Sequence, residues 1–237
     1  MAMRYAIALM AVALALPAQA QDKPAAEAAK PDAREAKFQE AMQAISAGNP
    51  SGAIALLDPL LADFDREYPA TGRHVFCGSD VANVLIGLVG AAASGKDSIA
   101  LSSTWCYALW AKGYALVELG RLDDAVAPLT RAAQMMPDNA QFHTELGYVH
   151  QTLKHWEQSK AAYTAAAAAG ERIADKEQRN LALRRAWFGI GFNEIELGQY
   201  DAAEKHMKQA LKFAPGDEKI LNELEFIRQQ RTKAKRG

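Results

Sequence analysis

Ala108–Pro137 reads ALWAKGYALVELGRLDDAVAPLTRAAQMMP, and Ala186–Pro215 reads AWFGIGFNEIELGQYDAAEKHMKQALKFAP. Laid over one another, Gly113 meets Gly191, Gly120 meets Gly198, Ala125 meets Ala203, Ala132 meets Ala210 and Pro137 meets Pro215. Between them Leu146-Gly147 and the run from Trp156 to Tyr163 make a weaker copy, with Gly147 placed 34 residues after Gly113. Small residues recurring at fixed offsets with such a period predict stacked helical hairpins. Stacks of this kind present long surfaces to other proteins and are seldom built around a reaction centre.

Each recurring residue has a physical reason. Gly113, Gly147 and Gly191 fall on the first helix of a hairpin, where the second helix crosses and only a small side chain lets the backbones approach. Ala125 and Ala203 answer from the second helix, and Ser159 takes that place in the middle copy. Gly120 and Gly198 end first helices with the left-handed residue that a tight turn needs. Pro137 and Pro215 stop second helices and redirect the chain. Three departures stand out: Lys154 occupies the middle copy's turn-glycine position, Glu171 replaces its closing proline, and Pro128 lies inside a helix, where a kink is expected.

These hairpins resemble the tetratricopeptide repeat, over about 110 residues clearly and over Arg34–Asp63 weakly. The resemblance implies an all-α fold, a right-handed superhelix of stacked antiparallel helix pairs with a C-terminal capping helix. On this reading residues 34–237 form the helical domain. It divides into a degenerate hairpin at 34–66, an insert at 67–105, repeats at 106–139, 140–183 and 184–217, and a capping helix at 218–237. Ile220, Leu224 and Ile227 give that last helix one apolar stripe, and its other faces are charged. Inside the insert, Asp80–Ala93 (DVANVLIGLVGAAA) is apolar all round and is expected to be a buried core helix, with a strand as the alternative.

The resemblance also implies that first helices line a concave face. Trp110 and Tyr114 then share one helix face, Tyr148 corresponds to Tyr114 in the next copy, and Phe188 and Phe192 repeat the pair in the third. Phe38 and Met42 take the same places in the degenerate hairpin. These seven residues are the candidate partner-binding set, an aromatic ladder flanked by Glu118, Gln151 and Glu196. Aromatic side chains are the usual anchors of peptide and protein partners. The alternative is that the rings fill contacts between adjacent first helices.

The chain opens MAMRYAIALMAVALALPAQA. A cation at Arg4, an apolar run from Tyr5 to Leu16 and the small-x-small sequence Ala18-Gln19-Ala20 read as a signal peptide cleaved after Ala20, and residues 21–33 as a flexible leader. Export to the periplasm is expected. Twelve apolar residues fall short of the about 20 that cross a bilayer. Cys77 and Cys106 are the only cysteines, and in an exported chain they predict one disulfide.

Other chemistries find little support. The formal net charge is −1, or −2 once Arg4 is removed with the leader, which gives no electrostatic case for nucleic acid. Gly90–Asp97 (GAAASGKD) approaches a phosphate-binding loop, but Asp97 stands where a magnesium-binding hydroxyl belongs. No parallel sheet is expected to carry such a loop, so no ATP site is assigned. His74, His143, His150, His155 and His206 show no zinc-helix spacing, and no metal or other cofactor is expected. The tail Arg228–Gly237 (RQQRTKAKRG) is basic and reads as complementing a helix C-terminus, with weak attraction to an anionic membrane surface as the alternative. The chain is therefore expected to be a non-catalytic adaptor of the bacterial envelope that holds a peptide or protein partner. A structural subunit without a free groove, or a thiol-exchange accessory using Cys106, are the alternatives.

Overall fold

Asn49 accepts a hydrogen bond from the Gly52 amide at 2.9 Å, with Pro50 opening the helix behind it. Asn139 and Asp175 repeat the device at later helix starts, accepting from Phe142 and Gln178 at 3.1 and 2.8 Å. A side-chain oxygen over a first-turn amide satisfies a donor that the helix itself leaves unpaired. The computed structural model describes residues 33–69, 74–78 and 97–234, with positions 84, 85, 88, 89, 93 and 95 in between. The signal-peptide and leader expectations lie outside the described residues.

Nine helices are described: α1 (Ala33–Ser46), α2 (Pro50–Glu67), α3 (Thr104–Glu118), α4 (Leu122–Met135), α5 (Ala140–Thr152), α6 (Trp156–Gly170), α7 (Lys176–Glu196), α8 (Tyr200–Phe213) and α9 (Glu218–Ala234). They pair as antiparallel hairpins α1–α2, α3–α4, α5–α6 and α7–α8, and α9 packs on the last. The fold is the all-α stack of the tetratricopeptide type. Between α2 and α3 lie two strands, β1 (His74–Cys77) and β2 (Ser98–Leu101), paired in parallel.

The glycine offsets have a common geometry. A Cβ on Gly113 would lie 2.4 Å from Leu129 Cγ, one on Gly147 3.0 Å from the Tyr163 ring, and one on Gly191 3.1 Å from Met207 Cγ. At every crossing a large second-helix side chain occupies the space where a first-helix side chain would sit. Gly120 and Gly198 turn at φ +71°, and Lys154 does the same at φ +59°. Ala125 and Ala203 are fully buried, as is Ser159, whose hydroxyl donates to the Gly147 carbonyl at 2.7 Å.

Pro128 lies inside α4, as expected, and α2 likewise runs through Pro59. Gly147 and Gly191 stand 44 residues apart, and the added length lies in a longer helix, since α7 begins at Lys176 and is 21 residues long. Two features differ from the sequence expectations. A parallel strand pair exists where none was expected. Leu85, Leu88 and Val89, helical positions of the apolar stretch, are exposed by 57%, 37% and 69%, so the stretch is not buried throughout. Most of Asp80–Ala93 lies outside the described residues.

Cys77 and Cys106 are bonded, with Cα atoms 6.3 Å apart. The bridge ties β1 to the first turn of α3. Next to it the fully buried Trp105 stacks on Phe64 at 5.1 Å and 6°. The Arg131 guanidinium covers the Trp105 ring at 4.7 Å and pairs with Asp65 at 2.6 Å. In the chain-entropy model a bridge across 29 residues contributes about 3–4 kcal/mol.

Candidate functional site

The first helices follow one another along one face: α1 touches α3, α3 touches α5, α5 touches α7 and α7 touches α9. The candidate residues sit on this series but differ in burial. Phe38 is buried in the core shared by α1, α2 and α3, and Met42 packs half-buried against the same core, so these two do not open a binding surface. At the end of the ladder nearest the insert the rings instead close the gap between neighbouring helices.

Trp110 is half-buried and belongs to a larger cluster. It lies 5.7 Å from Tyr114, 6.2 Å and nearly parallel to Phe142, and 6.4 Å edge-on to Tyr107. Phe142 is fully buried and meets Tyr107 edge-on at 5.2 Å. Tyr107 and Phe142 were not among the expected residues, although Tyr107 lies one helical turn before Trp110. Aromatic pairs in these geometries contribute beyond their buried area. Trp110 therefore spans both expectations, part core and part face. Phe188 and Phe192 are half-buried at 6.4 Å from each other, and the Arg184 guanidinium lies 5.4 Å over Phe188. Tyr148, on the central helix, is 47% exposed.

Charged and polar groups gather around these rings. Tyr163 comes from α6, and its ring fills the space beside Gly147 and Gly189 while its hydroxyl donates to Gln151 Oε1 at 3.0 Å. Burial pushes its phenol above the ordinary tyrosine range; Glu145 and Tyr148 add to this and Arg185 opposes it. Glu145, one turn before Tyr148, is raised above the usual carboxylate range by burial, with Arg185 opposing and Glu118 adding. Tyr114 is raised by burial and then by Glu118 and Glu145. Further along, Glu223 of α9 is raised by burial and by Glu196 at the end of α7. These mutual influences gather Tyr114, Glu118, Glu145, Tyr148, Tyr163 and Arg185 at the middle of the face. Glu145, Arg185 and Glu223 escaped the sequence reading because an isolated charge on a helix looks like any solvated position. For Glu145 and Arg185, a spacing of one turn from Tyr148 and Phe188 was the available signal.

The arrangement offers aromatic rings, carboxylates and a guanidinium as binding groups. Among the described residues no three His, Cys, Asp or Glu side chains gather as a metal site. His206 Nδ1 lies 2.6 Å from Glu194 Oε2 and its ring stacks on Trp187, a contact between α7 and α8. Cys106 is fully buried in its bridge and Cys77 nearly so. Thiol exchange requires a thiolate to reach a sulfur, and this burial counts against the accessory reading. Gly95 (φ +67°) precedes β2, so the glycine-lysine segment leads into a strand. A phosphate cradle has the reverse order, strand, loop and helix. Lys96 lies outside the described residues. No described helix is long and apolar enough to cross a membrane.

Comparison with known proteins agrees with this geometry. A TPR repeat family model matches residues 113–154, and a tetratricopeptide repeat model matches residues 184–217. No curated protein matches the sequence. Among solved structures, MamA residues 41 to the end from Desulfovibrio magneticus RS-1 superimpose with a TM-score of 0.57 at 17% identity, covering 85% of this chain and 87% of that one. A double mutant of MamA from RS-1 gives 0.58 at 16% identity over 85% and 86%. A further crystal structure of MamA gives 0.57 at 13% identity over 84% and 82%. At these identities the likeness is one of fold. The chain carries tetratricopeptide repeats.

Proposed function

We propose that this chain is an exported, non-catalytic adaptor of the bacterial cell envelope, and that the face formed by α3, α5 and α7 holds a segment of a protein partner. The observation that carries the reading is Tyr148, a large ring left 47% exposed at the centre of a continuous series of first helices. Half-buried rings flank it on both sides. A pre-packed aromatic surface with polar groups at its margins supplies anchors that lose little freedom on binding. The envelope assignment rests on the signal-peptide pattern of residues 1–20.

The test is selection of a displayed random-peptide library on the purified protein, followed by titration of a selected peptide. Tyr148→Ala is expected to weaken binding by about 30-fold, the loss typical of a hot-spot ring, with an unchanged thermal melt. Equal affinity for both proteins would refute the assigned face. Export is tested separately by N-terminal sequencing of protein recovered from the periplasm, with Gln21 expected as the first residue.

A further inference from the structure

The three repeat turns close with the same pair of backbone bonds. The amides of Gly120, Lys154 and Gly198 donate to the carbonyls of Val117, Gln151 and Ile195. The amides of Arg121, His155 and Gln199 reach further back, to Leu116, His150 and Glu194, at 2.9, 2.8 and 2.7 Å. A left-handed residue with this bond pattern brings together the side chains at the two ends of the longer bond. The outer repeats fill those positions with Leu116 and Arg121, and with Glu194 and Gln199. The middle repeat fills them with two imidazoles, His150 at the end of α5 and His155 just before α6. Their ring centroids lie 5.7 Å apart, with the planes tilted by 47°. On a continuous helix residues at this separation would point to different sides, so the turn at Lys154 is what makes them neighbours.

Two imidazoles on one tetrahedral metal ion have centroids roughly 5 Å apart, as metal–nitrogen bonds of about 2.0–2.1 Å require. The observed separation is close to this. The rings are also uncommitted. Nδ1 of His150 is buried with no hydrogen-bond partner, and the His155 side chain makes no bond to the first turn of α6 although it stands at the capping position. His155 is exposed, which gives an ion access from solvent. Burial first, and His155 second, hold His150 below the usual histidine range, and the neutral imidazole is the form that ligates metal.

We propose that His150 and His155 together chelate a divalent transition-metal ion, Cu2+ more tightly than Zn2+, with water completing its coordination. The ion clips α5 to α6 across the turn that closes through Lys154 instead of glycine. The inference is independent of the partner-binding reading.

The test is calorimetric titration of the purified protein with CuCl2 and with ZnCl2 in a buffer that does not bind metal. One ion per chain is expected, and saturating metal should raise the melting temperature. His155→Gln should weaken Cu2+ binding at least about tenfold, since even a group that only orients a metal ligand is worth that much. Its metal-free melt should match the wild type, because the side chain is exposed. Electron paramagnetic resonance of the Cu2+ complex should show two imidazole nitrogens in the wild type and one in His155→Gln. Absence of saturable binding would overturn the proposal. So would equal Cu2+ affinity in wild type and His155→Gln, which would place the ion elsewhere, or a loss in His143→Gln as large as that in His155→Gln.

Discussion

Sixteen residues after the crossing glycine, the outer repeats place Leu129 and Met207, and the middle repeat places Tyr163. The backbone path is the same and the atoms filling it differ. The outer repeats turn through glycine and bury alanine, with an aliphatic or thioether side chain against the glycine. The middle repeat turns through Lys154, buries Ser159 and packs a phenol. Its interior is consequently joined by hydrogen bonds: Asn193 Nδ2 donates to Ser159 Oγ at 2.8 Å, Ser159 to the Gly147 carbonyl, and Tyr163 to Gln151. Asn193 and Ser159 are fully buried, so the chain of bonds carries specificity from α7 through α6 to α5. The repeat that departs furthest from the pattern is also the one whose first helix presents the exposed Tyr148. Polar filling there sets the spacing of the helices that build the binding face.

The largest effect is expected where the middle repeat depends on one ring. Tyr163→Ala should lose about 3–5 kcal/mol of stability in denaturant unfolding, the usual consequence of emptying an aromatic site. Tyr163→Phe should lose only about 1 kcal/mol, the contribution of the hydroxyl's bond to Gln151. A Phe variant as damaged as the Ala variant would place the polar contact above the packing and change the comparison.

Next come the crossings. Gly113→Ala should destabilise by about 1–3 kcal/mol, because its Cβ would meet the branch point of Leu129. Gly191→Ala should be milder, since Met207 has freely turning bonds with which to retreat. Equal melting temperatures for the two variants would show that α3 and α4 can slide apart as easily as α7 and α8. Ser159→Ala should cost about 1–3 kcal/mol by leaving the buried Asn193 amide without its acceptor. If the melt is unchanged, the polar chain is incidental and the middle repeat is an ordinary one.

The smallest effect has the opposite sign. Lys154→Gly should stabilise by about 1 kcal/mol, since φ +59° is strained for a residue with a Cβ and free for glycine. Gly120→Ala in the outer repeat should destabilise by about as much. Together the two substitutions ask whether the turn requires the left-handed conformation in every copy.

The hairpins were legible because Gly113, Gly120, Ala125 and Pro137 act locally, through turn conformation or close approach, and recur with the repeat. The strands were not. Val75 pairs with Ile99, and His74–Cys77 and Ser98–Leu101 are too short to show an alternating pattern, so their parallel pairing is a long-range choice that no local signal announces. For the face, period 3.6 placed Trp110, Tyr114, Phe188 and Phe192 on one side of their helices. It did not separate a ring turned to a partner from one turned to the next helix, which is why Phe38 proved to be core. Glu145 became informative only through its surroundings on neighbouring helices, Arg185 and Glu118, a relation between repeats that no single window of sequence contains.

The face itself is the central claim, and amide hydrogen exchange with and without a saturating selected peptide tests it most directly. Added protection is expected in first helices, within 104–118, 140–152 and 176–196. Protection confined to second helices, within 122–135, 156–170 and 200–213, would put the partner on the opposite side and contradict the account.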